Sequence, residues 1–313
     1  MAKIAVIGAG LVGRAWSVVF ARAGKNVFIY DNDTETLHSC IHLISLTVND
    51  LFNQGLLDES PKELLARIDA TNNISRAIEN ADYVQESGPE NLHTKIKIFE
   101  EIDSIANPLV PIGSSTSGFI ASSFTKTLIH KERCLVVHPV NPPSVIPLVE
   151  IAPAPWTKKE IIDRVKNLMV EIGQEPIVLL KEIDGFILNR LQGALLNESL
   201  RLISDGFIST EDLDKTVKYG LGLRWSFMGP IETIDINAPS GIEDYASRYG
   251  PIYYQVAKDS DARPWDEKLI ARASKERRSV LPMEQHLSRQ QWRDKRLMAL
   301  IRHKKDASKK FGD

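Results

Sequence analysis

The apolar residues of this chain fall into two textures, and the change comes near residue 185. Before it, short unbroken apolar runs alternate with helical stretches. Ile4, Ala5, Val6 and Ile7 are continuous rather than alternating, as in a parallel strand covered on both faces. "RAWSVVFARAG" follows with a helical period and stops at Gly24, and "NVFIYD" is a second buried strand ending in Asp31. Helical patterns run from Thr34 to Gly55 and from Pro61 to Ile68. "ADYVQES", "LVPIGSSTS", "CLVVHPV" and "EPIVLL" read as further strands, with helices predicted over "NLHTKIKIFEEIDSIA" and "PWTKKEIIDRVKNLMVEIG". This alternation predicts an α/β fold with a Rossmann-type, doubly wound parallel sheet over residues 1–185. Beyond it only helical patterns remain. "FILNRLQGALLNESLRLISDG" stops at Gly206, and "STEDLDKTVKYG" opens on a capping-box-like Ser209 and Asp212. Residues 186–313 are therefore expected to form an all-helical C-terminal domain.

Length agrees, since 313 residues suit about two domains. With 43% hydrophobic and 26% charged residues, the composition is that of a soluble globular protein. A formal net charge of -2 gives no reason to expect nucleic acid as a partner. The basic tail "RHKKDASKK" reads as a solvated helix end. No window offers the roughly 20 apolar residues of a transmembrane helix, so no membrane partner is expected. "MAKIAVIGAGLVG" is not a signal peptide, because its apolar run is short and leads straight into a glycine motif. Two cysteines, Cys40 and Cys134, make no disulfide framework. A reducing, cytoplasmic location is the expectation.

The glycine motif carries the first chemistry. Gly8, Gly10 and Gly13 space as G-x-G-x-x-G, with Leu11 and Val12 between the last two. Gly8 permits the tight turn, Gly10 lets a pyrophosphate approach the backbone, and Gly13 lets helix and strand pack closely. The helix amino terminus adds unpaired N–H groups and the positive end of its dipole. Asp31, 18 residues past Gly13, can accept hydrogen bonds from a ribose diol. A carboxylate there repels a 2′-phosphate, and "DNDTETLHSC" offers no Arg or Lys to bind one. NAD rather than NADP is the expected cofactor, and no metal is expected. A lone triplet is weak, but strand, glycines, helix, second strand and acid arrive here in order.

In such sheets ligands bind outside the carboxyl ends of the strands. Glu90 with Lys95, Ser117 and His138 all fall at such ends. His138 opens "HPVNPPSVIPLVE", where prolines at 139, 142 and 143 stiffen the chain and "PLVEI" returns as a short strand. A histidine there can shuttle protons near neutral pH. Glu150 on the returning strand can bind one ring nitrogen, fix the tautomer and stabilise the imidazolium. On these residues alone, a structural histidine with a surface glutamate is equally open.

"GSSTS", "HPVNP", "PLVE", "DGFILNRL" and "ESGPENLHTK" resemble blocks of the 3-hydroxyacyl-CoA dehydrogenase superfamily, with the spacing between blocks retained. "KEIDGFILNRLQ", "GLGLRWSFMGPIET" and "RQQWRDKRLM" extend the resemblance over almost the whole chain, toward a narrow branch acting on sugar acids such as gulonate. The resemblance implies an NAD-dependent dehydrogenase. It places the general base on His138 and the orienting acid on Glu150. Contacts to the substrate oxygen fall on Ser117 and Asn189. Asn141 falls in the cofactor and substrate region, and Glu90 and Lys95 fall near the nicotinamide ribose. It also implies a homodimer joined through the helical domain.

Two features bear on the substrate. From Asn26 through Pro61 there is no Lys or Arg to meet the phosphates of coenzyme A, although Lys62 and Arg67 follow closely. The segment "GLGLRWSFMGP", expected to be longer than the corresponding loop of the superfamily it resembles, carries Arg224. A guanidinium binds a carboxylate through two parallel hydrogen bonds, so Arg224 is a candidate for a free substrate acid, or equally for a protein acid at a subunit interface. A small hydroxy acid is the expected substrate, with gulonate, 3-hydroxybutyrate and carnitine-like acids as candidates. A 3-hydroxyacyl-CoA is the alternative, and a bulk structural protein that binds NAD without turnover is another of a different class.

Overall fold

A computed structural model describes residues 2–259 and 264–312. The chain forms two compact units, Met1–Leu188 with Leu297–Arg302, and Asn189–Arg296 with His303–Asp313. The strands of the first unit are β1 (Lys3–Ile7), β2 (Asn26–Tyr30), β3 (Ile68–Thr71), β4 (Tyr83–Glu86), β5 (Ile112–Ser114), β6 (Cys134–Pro139), β7 (Leu148–Pro153) and β8 (Glu175–Val178). Its helices are α1 (Leu11–Arg22), α2 (Thr34–Asn53), α3 (Pro61–Leu65), α4 (Ile74–Ile78), α5 (Leu92–Ile105), α6 (Ala121–Thr125) and α7 (Lys159–Glu171).

One sheet runs β3-β2-β1-β4-β5-β6-β7-β8, a Rossmann-type arrangement with β1 near the middle. The unbroken apolar run of β1 is explained by its two faces. Ile4 and Val6 join a core with Trp16, Phe20 and Val48, while Ala5 and Ile7 join another with Val84, Phe99 and Phe124. Successive side chains of a strand point to opposite faces, so both had to be apolar.

The sheet departs from the expected all-parallel one at a single pair. β6 and β7 are antiparallel, because residues 140–147 are too few for the crossover that a parallel return demands, about a dozen or more. The helical pattern read through Ile68 ends at Leu65, and Ile68–Thr71 is instead the edge strand β3, paired with Val27 to Tyr30 of β2. A four-residue edge strand carries too little periodicity to read, and pairing decides its state.

The helices of the second unit's region are α8 (Leu188–Ser204), α9 (Thr210–Thr216), α10 (Gly222–Trp225), α11 (Pro230–Ile236), α12 (Ile242–Asp259), α13 (Glu267–Val280) and α14 (His286–Phe311). The Oγ of Ser209 caps α9 by accepting from the Asp212 N–H at 3.1 Å. "GLGLRWSFMGP" is no loop. A π-helical turn, Val217–Leu221, carries α9 on into α10. Gly222 permits this, since a Cβ there would lie 3.0 Å from the Val217 carbonyl oxygen. Nor does the second unit run unbroken from 186 to 313. Leu297, Met298 and Ile301 on α14 pack with the first unit, and Met298 is buried in its core. Among the described residues, no helix is long and apolar enough to cross a membrane.

Candidate active site

Beyond the carboxyl ends of β1, β2 and β4 lies a cleft of about 470 Å³, lined among others by Gly8, Gly10, Asp31, Gly88, Thr94 and Glu101. Each glycine has its own reason. Gly8 has φ +110, and a Cβ there would lie 2.4 Å from the Ser87 carbonyl oxygen. A Cβ on Gly13 would lie 1.8 Å from the Gly8 oxygen, so α1 could not seat against β1. A Cβ on Gly10 would meet nothing within 4 Å; what it would fill is the approach to the backbone. Gly10 is also the N-cap of α1, with no side-chain cap and no acid in the first turn, so the first N–H groups stay open to an anion. Leu11 is exposed there, while Val12 leans on the core.

The Asp31 carboxylate is held by backbone donors, the N–H of Ala9 at 2.8 Å and of Asp33 at 2.9 Å. Glu101 on α5 adds a second carboxylate to the cleft, one that the sequence did not single out. Burial pushes the Tyr30 phenol up, and Glu101 and Asp31 add to the effect. A cleft with open helix N–H groups at one side and two carboxylates at another suits a pyrophosphate and a ribose diol, and opposes a 2′-phosphate.

The serine turn after β5 is clamped from both faces of the sheet. Glu90 Oε1 accepts from the Thr116 hydroxyl at 2.7 Å and from the Ser117 and Gly118 amides at 3.0 and 2.8 Å. On the other face Ser115 Oγ accepts from the Gln85 amide at 2.7 Å and the Trp16 indole at 3.1 Å. Lys95 itself lies inside the protein rather than at the surface of the cleft. It is 1% exposed, and its ammonium sits 2.8 Å from Glu86 and 4.0 Å from Glu90. Glu86 is the main residue that sequence reasoning missed. The signal was present, for a carboxylate closing the buried strand "DYVQE" needs a partner.

His138 and Glu150 face each other across the β6–β7 ladder. The imidazole Nδ1 lies 2.8 Å from Glu150 Oε2, and Oε1 accepts from the Ile187 and Leu188 amides at 2.9 Å each. Glu150 is fully buried, so it is no surface glutamate. Burial alone would raise its pKa. The hydrogen bond with His138 and the two amides outweigh that, and hold its carboxyl below the usual range. An ionised acceptor makes Nδ1 the donor, so that the neutral imidazole carries its lone pair on Nε2. Phe186, buried with φ +49, lies 5.3 Å from the imidazole between ring centroids.

Asn141 is exposed in the turn after β6, where the Asn141–Pro142 peptide is cis. Ser117, His138 and Glu150 thus belong to the first unit. Asn189, near the start of α8, and Arg224, exposed on α10, belong to the second.

A Rossmann-type sheet, a glycine turn opening on a cleft, and a histidine–carboxylate pair at the strand ends define a dinucleotide-dependent oxidoreductase. Residues 3–183 match the family model of the 3-hydroxyacyl-CoA dehydrogenase NAD binding domain, and residues 185–282 match that of the 3-hydroxyacyl-CoA dehydrogenase C-terminal domain. The chain belongs to the 3-hydroxyacyl-CoA dehydrogenase family, and NAD is its cofactor. It is 38% identical to lambda-crystallin of Oryctolagus cuniculus over 96% of both chains. It is 37% identical to L-carnitine dehydrogenase of Oceanobacillus iheyensis, over 80% of this chain and 81% of that one. Among solved structures, a 5-formyl-3-hydroxy-2-methylpyridine 4-carboxylic acid 5-dehydrogenase, an NAD+-dependent dismutase, aligns with a TM-score of 0.84 at 26% identity, over 96% of this chain and 98% of that one.

Proposed function

We infer that the protein oxidises the 3-hydroxyl of a small free hydroxy acid of the L-gulonate type with NAD. The observation that carries this reading is the His138–Glu150 pair at 2.8 Å, with the second carboxylate oxygen locked by two amides. An imidazole held so has one nitrogen committed and one free to take a proton. His138 Nε2 accepts the proton of the substrate hydroxyl, and Glu150 stabilises the imidazolium that results. Ser117 and Asn189 donate hydrogen bonds to the oxygen that is losing its proton. Gly8, Gly10, Gly13, Leu11 and Val12 form the turn that receives the pyrophosphate. Asp31 would take the adenosine ribose, and Glu90, with the buried Lys95 ammonium 4.0 Å behind it, would serve the nicotinamide ribose together with Asn141. Bound NAD supplies the two-electron acceptor for the substrate carbon.

Two observations favour a free acid over a coenzyme A ester. α2 offers no Lys or Arg from end to end, and one relative is named for L-carnitine, itself a free 3-hydroxy acid. Arg224 is the proposed partner of the substrate carboxylate. A cytoplasmic homodimer joined through the helical region fits the large apolar side chains exposed there, among them Trp225, Phe227, Tyr253 and Tyr254.

The test is an NAD-reduction screen across free hydroxy acids and hydroxyacyl-CoA esters, with His138→Gln as control. Oxidation of a free acid, lost in the control, is the expected result. Reduction only with coenzyme A esters moves the substrate to the family's acyl thioesters. Stoichiometric NAD binding with no turnover points to a bulk binding role.

A further inference from the structure

A carboxylate that the reaction does not use stands at the carboxyl end of β4. Glu86 is fully buried, and its oxygens take donors from three segments. Oε1 accepts from the Gly88 amide at 2.8 Å and the Lys95 ammonium at 2.9 Å, and Oε2 accepts from Lys95 at 2.8 Å and the Ser114 hydroxyl at 2.5 Å. Gly88 lies in the wall of the cofactor cleft. Ser114 ends β5, just before the turn that bears Ser117, and its oxygen also lies 3.3 Å from the Thr116 amide. Lys95 reaches on to Glu90, the acceptor of the Ser117 and Gly118 amides.

Fold stability alone gives little reason for this arrangement. A buried ion pair is often no more stabilising than apolar residues of similar volume. What an apolar side chain cannot do is hold three donors at fixed distances from one point. Gly88 sits close against this carboxylate, for a Cβ there would lie 3.0 Å from Glu86 Oε1 and 2.8 Å from Ile98 Cδ1.

We propose that Glu86 is a positioning residue that sets the wall of the cofactor cleft at Gly88 and the Ser117 turn together, with Lys95 passing its charge on to Glu90. This rests on the dehydrogenase reading. Without the charge on Glu86, the buried Lys95 ammonium has Glu90 as its neighbouring carboxylate. Glu90 is then drawn off the Ser117 and Gly118 amides, and turn and cleft loosen together. Ser114→Ala cuts only the arm that reaches the turn.

The experiment compares Glu86→Gln and Ser114→Ala with the unaltered protein. NADH affinity is read by fluorescence titration, which needs no turnover. KM is then measured for the acid found in the substrate screen, with thermal unfolding as the check on folding. Glu86→Gln should weaken NADH and raise KM by about 10-fold or more each, the scale of losing a charged hydrogen-bond partner. Ser114→Ala should raise KM severalfold and leave NADH affinity as it was. A folded Glu86→Gln protein with a lower melting temperature but unchanged NADH affinity and KM overturns the proposal, for then the pair is structural only. Should Glu86→Gln fail to fold, an unchanged KM in Ser114→Ala overturns it. If the unaltered protein oxidises no hydroxy acid, the dehydrogenase reading fails, and NADH affinity in Glu86→Gln still decides the role of Glu86 at the cleft.

Discussion

Glu86 on β4 and Glu150 on β7 are both fully buried, and each faces a basic side chain at 2.8 Å. Each also accepts from backbone amides, Gly88 in one case and Ile187 with Leu188 in the other. The difference lies in the partner. The Lys95 ammonium has no lone pair, and Glu86 takes two of its hydrogens, so that pair can only hold things in place. The imidazole of His138 spends one nitrogen on Glu150 and leaves the other uncommitted. On the proposed reading, similar wiring serves as scaffold around an ammonium and as proton machinery around an imidazole.

The sharpest way to break this comparison is His138→Gln. Turnover should fall by about 100- to 10,000-fold, the usual range for a general base, while NADH affinity measured by fluorescence stays the same. Near-normal turnover would make the second pair as structural as the first. Next in size is Arg224→Met, which asks whether a third basic side chain serves recognition. KM for a free hydroxy acid should rise by about 10- to 150-fold, as for a broken charge-assisted hydrogen bond, with the NAD constant unmoved. Arg224→Lys should recover only part of this, for an ammonium lacks the planar fork. If the variant instead separates a dimer in sedimentation, with kinetics per site unchanged, Arg224 belongs to an interface.

Glu150→Gln should lose less turnover than His138→Gln, because the imidazole remains. The acid limb of its pH–rate profile should move to lower pH, since the imidazolium has lost its counter-charge. Stability sharpens the point. The Glu150 carboxyl is held below its ordinary value of 4.5. Its contribution is therefore full above that value and fades as pH falls through the lower native one. Melting temperatures taken from pH 6 downward should decline less steeply in Glu150→Gln. The smallest effect is expected of Asp31→Ala, a severalfold loss of NAD affinity with a narrowed preference over NADP. Equal turnover with both cofactors in the unaltered protein would remove Asp31, and Glu101 with it, from cofactor choice.

Much of the site was legible because local physics constrains it. The strand, glycines and helix of the cofactor turn follow one another within residues 3–22; Gly13 answers to Gly8 and Gly10 to open space, although the close contact of Gly8 is with Ser87, far along the chain. The His138 and Glu150 partnership was readable as a possibility, since a chain that must return within residues 140–147 brings them close. Its alternative, a surface glutamate, could be dismissed only by burial. Other placements were not readable. Glu90 and Lys95 fall together at a strand end in the sequence, yet Lys95 is buried and binds Glu86 more closely than Glu90. "GLGLRWSFMGP" was expected as a loop by its resemblance to the superfamily, whereas Gly222 serves a π-helical turn.

By itself the sequence determined the Rossmann-type α/β class, the helical character beyond residue 185, the cofactor turn, and the residue types available for proton transfer. These depend on periodicity and on contacts between near neighbours along the chain. Only the tertiary structure decided that β7 runs antiparallel, that Ile68–Thr71 is an edge strand, that one turn of α14 belongs to the first unit, and that Glu86 gathers Gly88, Lys95 and Ser114 around one carboxylate. Those outcomes depend on which strands lie side by side and on which charges must be paired once water is excluded, and periodicity along the chain specifies neither, even where the partners are as near as Glu86 and Lys95.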